Sequence, residues 1–543
     1  MSVNYKNKYL KYKNKYIELK YKNKYGGGDT YSWFIMKELN QEQELELDQQ
    51  YNADSAEQIT YEGIPYSLNP DGDGDYSNGN NLLRREQKIT ITDPNEQLLF
   101  DMLRKYIEGK NTVLRVAGGW VRDKILGKEN DDIDFTVANT EGMGMSGKVF
   151  SDALCAYITA SGAGWACEDK TSASPEAEKL QTATLKISVP SEPIKSFELD
   201  FVGFRSEVYR KDSRIPDGSP GTILQDTKRR DFTINALYYN INTGKIEDHV
   251  GGVRDIHRGI IRTPIDAKTS FTDDPLRILR ALRFRARFQF ALDDSIKAAM
   301  RDDGVQKMFR ENISRGRIGD EIVGFFKKGS EPVLAFREIL DSGLWYIIFG
   351  GEEYGEWGVR SISLMEELDV SMNSQNTMLA TLTYPLFELD KSNPLSKKVN
   401  IRVQNFYLVS IQSTHALLTP STKIHKCVSD IMGIKDQQSR RPSDFAFIIR
   451  DVGEYFGNAI EVGKTINPEL FNSVQTFAKG NNLVERCKVT PFNGMEVKEK
   501  FDIQFHQIKT LVDILFAWQV DNPGKTLDDA LVFKDKFLEK LNK

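Results

Sequence analysis

Histidine and cysteine are scarce in this chain, with five and four residues among 543. The cysteines, Cys155, Cys167, Cys427 and Cys487, show no C-x-x-C spacing and no partnering histidines. That excludes a zinc module and gives no sign of a disulfide framework. A reducing, cytoplasmic location is the expectation, since no transit or secretory signal is evident. Long apolar runs are also missing. None approaches the roughly 18 residues of a membrane span, so no membrane partner is expected. Nor is there an excess of positive charge: the net value is −5. The first 25 residues contain eight Lys and one Glu, which leaves the remainder more acidic still. An RNA-binding surface would have to arise from local clustering.

What is present is the composition of an ordinary globular protein, 40% hydrophobic and 28% charged. The length exceeds what one core usually serves, so two or more packed units are expected. Residues 1–28 form a basic leader in which Tyr-Lys-Asn-Lys-Tyr recurs at Tyr5, Tyr12 and Tyr21. A tract this short and polar reads as a flexible arm. Residues 29–90 read as a polar, acidic linker. Its Asp71-Gly-Asp-Gly-Asp75 run lacks the closing Glu of a calcium loop.

From Asn95 the pattern becomes globular. It suggests a helix over 95–108, a strand over 112–117, a short helix from Gly118-Gly119, and a strand bearing Asp132 and Asp134. Further strands are expected at 181–189 and 196–204. In the second, Phe197, Leu199 and Phe201 alternate with Glu198, Asp200 and Val202. Residues 206–226 read as a mobile loop, and 236–248 as a hairpin closed by Asn242-Thr-Gly244. From Asp273 onward helix signals dominate, with amphipathic runs near 272–288, 317–328, 332–342 and 442–460. The fold class is α+β: a sheet-plus-helix head (91–265), a helical neck (266–350), and a helical body and tail (351–543).

The chemistry concentrates in Gly118-Gly-Trp-Val-Arg-Asp123 and Asp131-Asp-Ile-Asp134. Alternate strand residues share a face, so Asp132 and Asp134 can grip a divalent metal together. The glycines allow backbone amides to approach a phosphate chain. Together these describe a site for a metal-bound nucleoside triphosphate. An Asp-x-Asp alone would be read as a charged edge strand.

At these residues the chain resembles the class II nucleotidyltransferases, the group of CCA-adding tRNA nucleotidyltransferases and bacterial poly(A) polymerases, and most closely the eukaryotic CCA-adding branch. The resemblance continues in order through Leu180-Gln-Thr-Ala-Thr184, Phe197-Glu-Leu-Asp-Phe-Val202, Arg205-Ser-Glu, Ser213-Arg-Ile-Pro216, Arg229-Arg-Asp-Phe-Thr-Ile-Asn-Ala236, Asp273-Asp-Pro-Leu-Arg277 and Ile313-Ser-Arg-Gly-Arg-Ile-Gly319. It spans about residues 90–350.

The resemblance implies a polymerase-β-like head with a small mixed sheet, then an all-α neck, body and tail. It implies template-independent addition of CCA to tRNA from CTP and ATP with Mg²⁺; no obligate protein partner is evident in the sequence. The alternatives are an A-adding or poly(A) polymerase-type enzyme, or a non-catalytic tRNA-binding protein on the same fold. Asp132 and Asp134 would be the catalytic metal ligands. Asp200 is a candidate third carboxylate, the alternative being a structural acid. Gly118, Gly119, Arg122, Arg229 and Arg230 would bind nucleotide, although Arg122 could instead pair with Asp123 or Asp131.

Asp274, Arg277 and Arg280 advance three residues at a time along one helix face, with Arg283 next, and all four are candidate nucleotide-binding residues. Pro275 suits a first helical position and Asp274 its N-cap. An Asp accepts hydrogen bonds and an Arg donates them, which complements the edges of C and A and mismatches U and G. Gln181, Leu224-Gln225 and Gly316 depart from the family pattern. That puts loop positioning, rather than the metal or base-reading residues, in question. In the body, Lys391, Lys397, Lys398 and Arg402 form one basic cluster, and Lys423, Lys426, Arg440 and Arg441 another.

Overall fold

A computed structural model describes residues 58–61, 64–67, 89, 91–162, 164–172, 181–208, 217–327, 330–350, 356–368, 374–391, 401–412, 415–434 and 441–542. The leader, the Asp71–Asp75 run, Ser213–Pro216, Lys397, Lys398 and Arg440 lie outside the described residues. The chain divides into two compact units, Met1–Thr90 and Ile91–Lys543. In the first, β1 (Gln58–Tyr61) pairs antiparallel with β2 (Ile64–Ser67), so the stretch expected to be linker contains a hairpin. Ile59, Thr60, Tyr61, Ile64 and Tyr66 are the β-branched and aromatic types that suit a pleated surface.

The second unit begins with α1 (Pro94–Ile107), capped by Asp93, whose side chain accepts from the Asn95 amide. Next come β3 (Val113–Ala117), α2 (Gly119–Ile125), β4 (Ile133–Ala138), α3 (Gly147–Ser161), β5 (Ala166–Asp169), β6 (Ala183–Val189) and β7 (Lys195–Gly203). A small hairpin, β8 (Arg205–Val208) with β9 (Asp217–Pro220), and α4 (Ile223–Arg229) fill much of the stretch expected to be a loop. The expected hairpin at 236–248 is β10 (Leu237–Asn240) and β11 (Lys245–Asp248).

These strands form one seven-stranded sheet in the order β11-β10-β3-β4-β7-β6-β5. Only β4 and β7 run parallel within it. One face is covered by α1, α2 and α3. There Phe100 meets Trp120, Phe135 and Tyr239, and Phe150 meets Phe201, which stacks on Phe135 at 5.2 Å. The opposite face carries Ala117, Asp134, Thr136, Ala138, Asp200 and Tyr238. Part of it is roofed by Phe204 and Ile223. The period-two pattern therefore separates an oily, helix-covered side from a side free for chemistry.

After the sheet come α5 (Gly252–Arg258), α6 (Ala267–Asp273) and α7 (Arg277–Phe288). The run expected as one helix over 272–288 is thus split. Pro275 disfavours helical geometry at the preceding residue, and Asp274 is extended at φ −140°, ψ 94°. The Asp274 side chain still caps the turn, accepting from the Leu276 amide at 3.2 Å. The helices α8 (Asp294–Met300), α9 (Asp303–Asn312), α10 (Arg315–Gly324) and α11 (Pro332–Asp341) complete the neck, with α10 and α11 packed on α7. Gly319 of α10 has no room for a side chain: a Cβ there would lie 1.8 Å from the Ile411 carbonyl oxygen. The rest of the described residues are mainly helical. The last segment has its own core around Val497, Phe501, Leu511, Leu515 and Ala530. No helix among the described residues is long and apolar enough to cross a membrane.

One expectation is corrected. Cys155 of α3 and Cys167 of β5 form a disulfide, while Cys427 and Cys487 are free and buried. The chain turns back directly from α3 into β5, which brings the two Cα atoms to 5.5 Å. A spacing of 12 residues has no motif value, so the pairing depends on the fold. Cysteine usage therefore no longer argues for a reducing compartment.

Candidate active site

The site lies on the open sheet face, at the end of the strands nearest the glycine turn. Gly118 sits at φ +71°, a conformation that L side chains rarely adopt, and donates its amide to the Leu237 carbonyl at 2.9 Å. A Cβ at Gly118 would come within 3.1 Å of Arg230 Nη1. Gly119 opens α2, and a Cβ there would lie in ordinary contact with Asn130 Nδ2 at 3.5 Å.

Asp134 is the second residue of β4 and pairs in register with Asp200 of β7, so the two carboxylates stand side by side on neighbouring strands. Asp132 immediately precedes β4, and its amide donates to Asn130 Oδ1 at 2.9 Å. Shelter from water, then the charges of Asp132 and Asp200, push the Asp134 carboxyl up to about 6, with Arg230 pulling the other way. Asp200 accepts a hydrogen bond from Thr184 Oγ1 at 2.5 Å. Among the described residues no group of three or more His, Cys, Asp or Glu is arranged to hold a metal ion unaided. An open pair with a neighbouring acid is instead what a metal shared with substrate phosphates requires. Asp132, Asp134 and Asp200 are all exposed on the open face with Asp200 beside Asp134, and the donor set is hard oxygen. The residues fit a divalent cation.

Arg229 and Arg230 are anchored by Asp226. The Arg229 Nη2 lies 2.5 Å from Asp226 Oδ1, Arg230 Nη2 lies 3.1 Å from Oδ2, and Tyr238 donates its hydroxyl to Oδ2 at 2.6 Å. Asp226 is fully buried. Burial alone would raise its carboxyl, but the Arg230 and Arg229 charges outweigh that and hold it at about 2. Arg229 closes α4, and Thr233–Asn235 is a single 3₁₀ turn. Asp231 and Asn235 do brace each other, Asn235 Nδ2 donating to Asp231 Oδ1 at 3.0 Å.

Arg122 is buried. It pairs with Asp123 at 2.7 Å, donates to Asn235 Oδ1, and lies over the Phe284 and Phe288 rings of α7. Asp123 also accepts from Asn130 Nδ2 at 2.9 Å and pairs with Arg287 at 3.3 Å. On α7, Arg277 is buried. Its Nη1 donates to Ser270 Oγ at 2.7 Å and its Nη2 to the Arg229 carbonyl at 2.6 Å. Arg280 grips Asp231 at 2.6 Å, and Arg283 pairs with Glu321 at 2.6 Å. Of the four arginines Arg122, Arg277, Arg280 and Arg283, each is engaged by protein groups that join the head to the neck or the neck helices to each other.

Sequence reasoning missed Asn130, Asp226, Tyr238 and Ser270 as organising residues. The Arg229-Arg-Asp and Asp-Asp-Pro-Leu-Arg motifs pointed to their neighbourhood. Only the three-dimensional arrangement identifies their contacts.

In the body, Lys391 Nζ donates to Ser429 Oγ at 3.0 Å, which sets this residue of the first basic cluster against the helix His415–Met432 that carries Lys423 and Lys426. Lys423 is exposed. Lys426 pairs with Asp451, Arg402 with Asp390, and Arg441 with Asp444.

Residues 114–262 match the poly(A) polymerase head domain. The chain is 34% identical over 403 residues to the mitochondrial CCA tRNA nucleotidyltransferase of Saccharomyces cerevisiae, covering 68% of this chain and 71% of that one. It is 28% identical over 500 residues to a tRNA nucleotidyltransferase of Schizosaccharomyces pombe, covering 82% and 98% respectively. Among solved structures it resembles the Bacillus stearothermophilus CCA-adding enzyme in complex with CTP, with a TM-score of 0.59, 17% identity, and coverage of 83% of this chain and 99% of that one. It also resembles the Thermotoga maritima CCA-adding enzyme complexed with tRNA, with a TM-score of 0.55, 20% identity, and coverage of 83% and 96%. The open carboxylate face, the glycine turn and the helical continuation thus occur in a chain that belongs to the CCA tRNA nucleotidyltransferase family.

Proposed function

We propose that this protein adds CCA to the 3′ end of tRNA, using CTP and ATP without a nucleic-acid template. The observation that carries the reading is the side-by-side placement of Asp134 and Asp200 on the open sheet face, with Asp132 at the strand entrance and Arg230 beside the glycine turn. Asp132 and Asp134 would hold a divalent cation, Mg²⁺ in this reading, and Asp200 would either join them or keep the local charge negative. When bound, the metal lowers the pKa of the attacking hydroxyl and neutralises the phosphates.

The terminal 3′-hydroxyl of tRNA gives up its proton to water as its oxygen forms a bond to the α-phosphorus. The bond to the bridging oxygen breaks, and pyrophosphate leaves. Gly118, Gly119, Arg229 and Arg230 line the place where the leaving phosphates would lie. Because Asp226 fixes both guanidiniums beforehand, little reorganisation is needed when charge arrives. Asp274 offers an acceptor and Arg277 a donor to the base edge, which suits C and A and leaves U and G with unpaired groups. Arg122, Arg280 and Arg283 set the distance between this reader and the metal site. Lys391, Lys423 and Lys426 supply part of the surface that meets tRNA.

The test offers labelled CTP, ATP, UTP and GTP separately to tRNAs ending at the discriminator, in C, or in CC. The expected result is C on the first two, A on the third, and negligible U or G. Addition of A alone to the CC end would indicate an A-adding enzyme. Long A tails on unrelated RNA would indicate a poly(A) polymerase, and no incorporation at all a binding protein.

A further inference from the structure

We infer that Ser270 is a positioning residue for nucleotide selection, because its two oxygens fix both members of the base-reading pair. Its carbonyl accepts the Asp274 amide at 3.2 Å, and its hydroxyl oxygen accepts from Arg277 Nη1 at 2.7 Å. Ser270 is fully buried in α6, one helical turn before Asp274 and on the other side of the Pro275 break from Arg277. A single residue thus spans the interruption that Pro275 introduces between α6 and α7.

The geometry matters because an Arg side chain has several soft torsions, whereas base reading requires its donors at a set angle to the Asp acceptor. The second anchor, the Arg229 carbonyl, accepts from Arg277 Nη2 at 2.6 Å. Two of the five guanidinium N–H groups are thereby committed to the protein, leaving the others to face the base. Without the Ser270 hydroxyl, Arg277 keeps one anchor and can rotate about it. A donor that can rotate can reach the carbonyl that U or G presents in place of the amino group of C or A, and the penalty against U and G falls. The inference rests on the reading of Asp274 and Arg277 as the base-reading pair.

The experiment compares Ser270→Ala, Ser270→Thr, Asp274→Ala and Arg277→Ala in the full chain. The readouts are kcat and KM for CTP and UTP on tRNA ending at the discriminator, for ATP and GTP on tRNA ending in CC, and the thermal midpoint of each variant. Ser270→Ala is expected to lower the CTP/UTP and ATP/GTP ratios of kcat/KM about tenfold or more. The change should come mainly from faster use of the wrong nucleotide. Ser270→Thr, which retains the hydroxyl, should restore the ratios. Where Ser270→Ala does not fold, Ser270→Cys, with a weak sulfur acceptor of similar volume, is expected to show the same loss.

If the Ser270 variants keep wild-type ratios while Arg277→Ala relaxes them, Ser270 has no positioning role. If Asp274→Ala and Arg277→Ala slow all four nucleotides equally, the base-reading assignment itself fails, and this inference with it. A uniform loss of rate with intact selectivity in Ser270→Ala would mark it as a purely structural residue.

Discussion

The guanidinium of Arg122 lies 4.8 Å from the ring centroid of Phe288, which ties the glycine-turn helix of the head directly to the neck. It also lies 5.3 Å from the Phe284 ring and pairs with Asp123 at 2.7 Å. A buried charge held in this way is costly to leave half-paired. Removal of Arg122 leaves Asp123 facing Arg287 at 3.3 Å across a partly emptied space. Arg122→Ala is therefore expected to destabilise the fold by about 3–5 kcal/mol in denaturant unfolding. Arg122→Lys keeps the charge but loses the planar stack, and should fall between the two. Unchanged stability together with a large rise in KM for nucleotide would instead place Arg122 at the triphosphate.

The carboxylate pair makes a different prediction. Asp132→Ala or Asp134→Ala should reduce incorporation by at least about a thousandfold, because a ligand to the transition-state charge is removed. Binding of tRNA, measured by filter retention or anisotropy, should persist in both. Asp200→Asn separates the two roles open to that residue. A loss comparable to the other two, with a shifted metal requirement, makes it a ligand, and a loss of a few-fold makes it a supporting acid. Near-normal turnover in Asp132→Ala or Asp134→Ala would exclude that residue from the metal site.

Much of this site was legible from sequence because its signals are local. Gly118 needs a backbone conformation that glycine supplies. Asp134 and Asp200 each sit in an apolar–polar alternation that fixes the face they occupy. The disulfide between Cys155 and Cys167, by contrast, depends on how α3 turns back into β5. The same limit explains Arg122. Its motif suggests phosphate binding, but its burial depends on two phenylalanines more than 160 residues further along. Asp274 and Pro275 illustrate a partial reading. The capping chemistry is present, with Asp274 accepting from the Leu276 amide just ahead of α7, while the same break ends α6 and gives Ser270 its place.

The body contains a titratable group whose effect on stability has a definite sign. His425 is fully buried beside the Tyr384 and Phe387 rings, and its Nε2 donates to the Ala380 carbonyl at 2.7 Å. Burial holds its pKa down at about 4, against an ordinary value of 6.5. The unfolded chain therefore takes up a proton before the folded one does. The folded state keeps its full stability above pH 6.5 and loses it as pH falls towards 4. The loss approaches about 3 kcal/mol at the lower end. Urea unfolding at pH 7, 6 and 5 should show this decline, and His425→Gln should flatten it. An unchanged slope in the variant would assign the acid sensitivity to other groups.

The Cys155–Cys167 bridge closes a short loop between α3 and the edge strand β5, and its contribution can be measured without touching the active site. A loop of this length restricts the unfolded chain by about 3 kcal/mol in the entropy model, provided that the native geometry is relaxed. Thiol titration of the denatured, non-reduced protein is expected to give two free groups, Cys427 and Cys487, and four after reduction. Cys155→Ser should lower stability under non-reducing conditions to that of the reduced wild type, because both lack the same cross-link. Incorporation rates with saturating tRNA should stay close to wild type, since the bridge is on the far edge of the sheet from β3 and the glycine turn. Four titratable thiols without reductant would show that the pair is not oxidised in the isolated protein. The edge strand would then be held by its hydrogen bonds to β6, its packing on α3 and the Lys148–Asp169 ion pair.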